Sequence, residues 1–323
     1  MKLKLATLIL IFSLIATACG SGGAATPAPA DATRGTVTLI IPEEPAALNY
    51  YIAEAAIVRQ VAEATSMTGL TTVNEKGEFI PVLAAELPTQ ANGGLSEDFS
   101  TVTWKLKPGL KWSDGEPLTS DDIKFTWEAI SNPDAGALAG TGGFDLIESV
   151  ETPDELTAVV KYSTPSPGYL SQFAYGLLPR HATGAPADMA NWEWNRKPVG
   201  AGPFILADWK SGESITLERN PNYFEPGKPY LDKLIFRTIP EAAAQTAIML
   251  QGDAQVHLWP GEDRADYDAL LAGKAKQVLV PGIWNMALDF NLSRPVDKDP
   301  SAGAPPPLPS RPPRGPPPRP PRR

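Results

Sequence analysis

The side chains that most often carry chemistry at neutral pH are His and Cys, and this chain is sparing with both. Its 323 residues include two His and one Cys. His181 follows Pro179-Arg180 in a segment that reads as loop, and His257 falls in a segment that reads as strand. Neither sits in a Gly-x-Ser-x-Gly or a His-Glu-x-x-His pattern, so neither a nucleophile elbow nor a zinc-protease helix is indicated. The glycine run Gly140-Thr141-Gly142-Gly143 lacks the Lys-Ser/Thr ending of a phosphate loop. One Cys forms no internal disulfide and no thiolate cluster. The residues thus mark no hydrolytic site and no metal site, and the expectation is no catalytic residue, no metal and no cofactor.

Charge narrows the class of partner. The formal net charge is −9, which speaks against a nucleic-acid surface. That figure is an average over unlike parts. Residues 301–323 hold eleven Pro and five Arg with no acid, so residues 1–300 hold 23 basic and 37 acidic side chains. The chain starts with Lys2 and Lys4, then the apolar run Leu5 to Ala18, which is shorter than a comfortable membrane span. Residues 1–18 therefore read as a secretory signal. Ala16-Thr17-Ala18-Cys19-Gly20 resembles a bacterial lipobox, although Ala16 stands where Leu is usual; an ordinary signal with a chance Cys is the alternative. Cys19 is thus the candidate lipidation site. Residues 19–35 are small and Pro-containing, as a flexible tether would be. The expected location is the outer face of the cytoplasmic membrane, extracellular or periplasmic, with the lipid as the membrane contact.

Between tether and tail, strand and helix patterns alternate. Residues 36–41 are β-branched and stop at Pro42, which predicts a strand. Residues 52–68 are Ala-rich with Ile57, Val61 and Ala64 in helical spacing. Short strands are predicted at 71–73 and 78–80, and a strictly alternating one at 101–107. Thr119 and Asp122 have the spacing of a capping pair at the start of a helix reaching Ile130. Strands follow at 145–151 and 156–162, a loop-like stretch with a short helix at 181–200, and a hairpin at 203–209 and 214–218. A strand at 234–238, a helix at 240–250, a strand at 255–258, a helix at 262–271 and strands at 276–280 and 284–290 complete an α/β order without internal repeat.

Lys111-Trp112-Ser113-Asp114-Gly115-Glu116-Pro117-Leu118-Thr119-Ser120-Asp121-Asp122 closely resembles the signature of the bacterial extracellular solute-binding proteins of family 5, the peptide- and nickel-type receptors of ABC importers. Glu78 to Ala84, Pro198 to Phe204, Leu217 to Phe224 and Asp289 to Pro295 resemble further blocks of that family in the expected order. As residues these blocks read as scaffold: Asp114-Gly115 and Asn220-Pro221-Asn222 are turn chemistry.

The resemblance implies a periplasmic binding protein type II-like α/β fold that closes on a solute by hinge motion. It implies a discontinuous first lobe, 36–70 and 195–275, with an inserted lobe at 71–194 and a crossover starting at 276–300. It implies a monomeric receptor for oligopeptides that passes its solute to ABC permease subunits. A receptor for an oligosaccharide or a chelated metal, or a sensory or adhesion module, are the alternatives. The loop after the first strand looks like the family's ligand-facing loop, which makes Glu44, Ala46, Ala47, Leu48, Asn49 and Tyr50 candidate ligand contacts. Its backbone would pair with an extended peptide as an added strand, unless it is a plain surface loop. Trp259, Trp284, Asn285 and Met286 are further candidates by position in the family, with core packing as the alternative for each Trp. Phe144 and the glycine run before it resemble the inserted lobe's contribution to the cleft, and His257 would be a contact for a chelated metal in the nickel-type branch. Members of the family continue into a third, large lobe. Here the Pro/Arg-rich tail stands in that place, so a truncated form that grips solute weakly is expected, with a frameshift in GC-rich DNA or a true polyproline II segment as the source of the tail.

Overall fold

The predicted first strand lies inside a sheet. In the computed structural model, which describes residues 35–53, 55–138, 141–257 and 272, Thr36–Ile41 form strand β1. β1 runs parallel to Lys233–Thr238 (β9) on one side and to Val256–His257 (β10) on the other, with Leu39 opposite both Phe236 and Val256. A strand paired along both edges favours the β-branched run seen here. Antiparallel pairing extends the sheet from β9 to Ser214–Arg219 (β8) and then to Phe204–Lys210 (β7), giving the order β10-β1-β9-β8-β7. Helix α1, Ala56–Ala62, adds Ile57, Val58 and Val61 to a core with Ile41, Leu48, Phe204, Leu217 and Phe236.

A second core forms from the chain between α1 and β7. Thr71–Val73 (β2) and Phe79–Pro81 (β3) make a short hairpin. Thr101–Lys105 (β4), Ile147–Asp154 (β5) and Thr157–Tyr162 (β6) form an antiparallel sheet in the order β4-β6-β5. Helix α2, Ser120–Ile130, packs over β5 and β6, and Tyr169–Gln172 (α3) is a single turn. The alternation in β4 buries Val102 and Trp104, as the period of two requires. Ala242–Gln251 (α4) connects β9 to β10.

The blocks of the family signature meet one another. The Asp122 carboxylate accepts the Thr119 N–H at 2.9 Å, the Trp112 indole N–H at 3.2 Å and the Arg180 N–H at 3.1 Å. Burial raises its pKa, and these three donors oppose that rise. Ser113 N–H donates to the Gly200 carbonyl at 2.9 Å, and the Asn222 amide donates to the Ser113 carbonyl at 3.1 Å. The Asn220 amide donates to the Gly202 carbonyl at 2.8 Å. Turn residues distant in sequence thus hold each other's backbones.

Two expectations need correction, one from periodicity and one from the family resemblance. The helix expected over 52–68 covers only Ala56–Ala62. Beyond it, the carbonyls of Ala64 and Thr65 accept the N–H groups of Phe204 and Gly202, at 2.9 and 3.0 Å, and Leu70 N–H donates to Phe173 at 2.9 Å. These tertiary bonds outweigh helix propensity, which is a weak force per residue. Phe144 is buried and meets Phe173 edge-on at 5.1 Å, so its ring is core rather than cleft. The stretch 181–200 contains two 3-10 turns, Pro186–Asn191 and Glu193–Asn195. The helix expected at 262–271 and the strands at 276–280 and 284–290 lie outside the described residues.

The approach of Gly200 to Thr65 leaves no room for a Cβ, which would overlap the Thr65 carbonyl. Gly200→Ala is therefore expected to cost about 1–3 kcal/mol or more in urea unfolding. Gly142→Ala, which meets nothing within 4 Å, should stay within about 0.5 kcal/mol of the parent.

Candidate functional site

In open α/β sheets, ligands gather beyond the carboxyl ends of parallel strands. Here that edge carries the loop leaving β1, the segment after β9, and His257 at the end of β10. The loop, residues 42–52, is the part of that edge richest in candidate contacts.

Its first anchor is Glu44. One carboxylate oxygen accepts the Trp209 indole N–H at 2.7 Å; the other accepts the Gly212 N–H at 2.6 Å and the Ser211 hydroxyl at 2.9 Å. Arg196 reaches the same carboxylate at 3.4 Å and lies 3.6 Å above the Trp209 ring. Burial raises the Glu44 pKa, but the Gly212, Ser211 and Trp209 donors and the Arg196 charge together hold it below the ordinary carboxylate value. Glu44 therefore fastens the loop to the turn between β7 and β8.

The second anchor is a buried amide pair. Asn49 Nδ2 donates to Asn195 Oδ1 at 2.9 Å, and Asn49 Oδ1 accepts the Tyr51 N–H at 3.1 Å. Leu48 N–H donates to the Asn195 carbonyl at 2.7 Å, and the Leu48 carbonyl accepts the Ser66 hydroxyl at 2.7 Å. The Leu48 side chain is wholly buried in the core under the sheet. At the far end, the Tyr51 hydroxyl donates to the Gly176 carbonyl at 2.7 Å, and the Tyr51 carbonyl accepts the Leu138 N–H at 2.6 Å.

With those groups engaged, the surface of the loop consists of exposed Glu43 and Ala46 and half-buried Pro42, Glu44, Tyr50 and Ile52, while Pro45, Ala47, Leu48, Asn49 and Tyr51 are buried. Among the described residues, the N–H groups of Ala46 and Ala47 donate to no partner. Tyr50 stacks on Tyr175 at 5.2 Å, and Arg59 lies 5.9 Å from the Tyr175 ring centre. The arrangement offers two peptide N–H groups beside an aromatic pair and a cation, which is chemistry for gripping an extended, polar chain. Asn195, Arg196, Tyr175 and Trp209 were not singled out from the sequence. They are distant from the loop in the chain, and no local pattern marks them.

The other candidates are placed as follows. Cys19, Trp259, Trp284, Asn285 and Met286 lie outside the described residues. His181 pairs with Asp114 at 2.7 Å and packs near the Trp112 ring. His257 has both ring nitrogens buried without a partner among the described residues, and burial lowers its pKa. Among the described residues, no three His, Cys, Asp or Glu side chains are grouped to hold a metal ion.

The Glu44 anchor gives a pH signature. Because its folded pKa is depressed below the ordinary value of 4.5, its stabilisation is full above that pH and is lost as pH falls through the folded value. Glu44→Gln should lower stability at pH 7 by about 1–3 kcal/mol, and the gap to the parent should narrow as pH falls from 4.5 through the depressed folded value. Urea unfolding of both chains at pH 7 and at low pH measures this.

Comparison with known proteins places the whole. The model of "Bacterial extracellular solute-binding proteins, family 5 Middle" matches residues 78–302. The oligopeptide-binding protein AppA of Bacillus subtilis is 34% identical over 199 residues, 60% of this chain and 35% of AppA. The oligopeptide-binding protein OppA of the same organism is 29% identical over 254 residues, 72% of this chain and 45% of OppA. Among solved structures, AppA in complex with a nonapeptide matches with a TM-score of 0.65 at 29% identity, over 73% of this chain and 45% of that one. The ABC transporter substrate-binding protein CtaP of Listeria monocytogenes matches with a TM-score of 0.64 at 27% identity, over 73% of this chain and 47% of that one. This chain spans less than half the length of each of these relatives. Its mixed α/β architecture is that of the family 5 periplasmic binding proteins, and the chain belongs to the bacterial extracellular solute-binding proteins of family 5.

Proposed function

We propose that this chain is part of an ABC-importer receptor that captures oligopeptides in a cleft between lobes and delivers them to the permease. The observation that carries the reading is the loop after β1, which presents the Ala46 and Ala47 N–H groups beside the Tyr50–Tyr175 pair. Backbone donors recognise the repeating part of a peptide and are indifferent to its side chains, which suits a receptor for varied sequences. The peptide choice also draws on the relatives, two of which are named as oligopeptide-binding proteins.

In this reading the first lobe comprises 36–70 and 195–275, and the inserted lobe 71–194. The two hydrophobic cores follow that division in the main, with Tyr51, Leu70 and Ala201 of the first lobe packing into the core of the inserted lobe. Ala46, Ala47 and Tyr50 supply ligand contacts on the first lobe, joined by Trp259, Trp284, Asn285 and Met286, while Glu44, Leu48 and Asn49 are engaged in holding the loop. Cys19 carries a lipid that holds a monomeric receptor on the outer face of the membrane. No bond of the solute is made or broken.

Photo-cross-linking tests the solute class and detects weak binding. The full chain is mixed in turn with a photoreactive random-peptide library, an oligosaccharide set and histidine-chelated nickel. Peptide adducts at residues 46–50 and unchanged peptides are expected. Selective retention of the saccharide or the metal chelate would overturn the peptide assignment, and turnover of any of them would overturn the receptor reading. A separate labelling experiment addresses the anchor. Cells expressing the chain with an alkyne fatty acid should show lipid incorporation, and Cys19→Ala should abolish it; equal labelling of that variant would remove Cys19 as the anchor.

A further inference from the structure

The loop after β1 is bonded to three separate parts of the molecule, and the middle bond is made by one buried side chain. Asn195 is 5% exposed and closes the 3-10 turn Glu193–Asn195. Its Nδ2 donates to the carbonyls of Met189 and Ala190, at 2.8 and 3.1 Å, which fixes the amide's orientation. That leaves Oδ1 facing the loop, where it accepts Asn49 Nδ2, while the main-chain carbonyl of the same residue accepts Leu48 N–H. The next residue, Arg196, donates to the Ala46 carbonyl at 3.4 Å and pairs with Glu44. Two consecutive residues thus touch positions 44, 46, 48 and 49, on both sides of the candidate peptide-facing N–H groups of Ala46 and Ala47.

Resting on the receptor reading above, we infer that Asn195 is a positioning residue for peptide recognition: its amide sets the backbone of residues 46–51 before solute arrives. Every polar atom of the Asn49 and Asn195 amides has a role in this bond set. Asn49 Oδ1 passes the constraint on to Tyr51 N–H, and Tyr51 is bonded to Gly176 and Leu138. The loop is therefore held at its start by the β7–β8 turn, at its middle by Asn195, and at its end by the core that contains β4, β5 and β6. A recognition loop pinned in this way loses little conformational entropy on binding. Residues 195 and 196 bond directly to this loop, so a displacement of that segment would reach the peptide-facing groups.

Residue-resolved amide exchange of the full chain, without ligand, decides the positioning claim. Asn195→Ala keeps the acceptors of the Leu48 and Tyr51 N–H groups, the main-chain carbonyl of residue 195 and Asn49 Oδ1, but removes the buried acceptor of Asn49 Nδ2. The freed loop should speed exchange at Leu48 and Tyr51 by roughly tenfold or more, while amides of β7, β8 and β9 stay close to the parent. Asn49→Ala removes the same bond from the other side together with the acceptor of the Tyr51 N–H, so Leu48 is its reporter, and it serves if Asn195→Ala does not fold. The double variant should resemble Asn49→Ala rather than multiply the two effects. Unchanged exchange at Leu48 and Tyr51, or a uniform rise across the sheet, would overturn the inference. Cross-linking with the photoreactive peptide library then reads the other claim: a fall of severalfold at residues 46–50 in Asn195→Ala supports positioning for recognition. The absence of any peptide adduct on the parent chain would sink the receptor reading while leaving the exchange result to stand for the geometry.

Discussion

Residues 64–70 run so close to two other stretches of backbone that side chains are excluded at the crossings. A Cβ on Gly69 would overlap the Phe173 carbonyl, and a Cβ on Gly200 or Gly202 would overlap the Thr65 carbonyl. The space is filled by backbone hydrogen bonds from Leu70, Gly202 and Phe204. Much else follows from this contact. It ends α1 at Ala62, ties the start of β7 to the chain after α1, and seats the two hydrophobic cores against a shared strip of main chain. It also aims the Ser66 hydroxyl at the Leu48 carbonyl, so the strip supports the candidate loop from beneath.

Above that strip, polar groups shape the loop, and bulk plays a smaller part. Glu44 is drawn to the β7–β8 turn by an indole, a hydroxyl and a main-chain N–H, with Arg196 as the adjacent charge. Such a carboxylate gains from charge-assisted bonds what it loses in hydration. Asn49 is fully committed to Asn195 and Tyr51. The side chains that look most able to contact a solute are thus employed in holding the loop, and main-chain donors are what the loop presents. That division of labour suits recognition of a backbone common to many peptides.

Much of the fold was legible in the sequence. The alternation at 101–105 and the β-branched run at 36–41 marked strands because each buries residues in the pattern its sheet requires. Thr119 and Asp122 marked the start of α2, and the family blocks were rightly read as scaffold, since Ser113, Gly200, Asn220 and Asn222 hold one another. The end of α1 was not legible, because its reason is a bond to Gly202 and Phe204, far along the chain. The same limit applied to the site. The loop could be located from its place after β1, but the work of Glu44 and Asn49 depends on Trp209, Ser211 and Asn195, which only the tertiary structure brings near. Phe144 shows the reverse error: a family position suggested the cleft, whereas the ring meets Phe173 in the core.

In the proposed arrangement the loop after β1 is held by internal bonds so that Ala46 and Ala47 can donate to a peptide backbone. Amide exchange of the full chain with and without a saturating, unlabelled peptide tests it most directly. The proposed arrangement predicts slowed exchange at Ala46 and Ala47, with little change at Leu48, whose N–H is already bonded to Asn195. Protection confined to other segments, such as the β2–β3 hairpin or the edge of β5, with Ala46 and Ala47 unaffected, would contradict it.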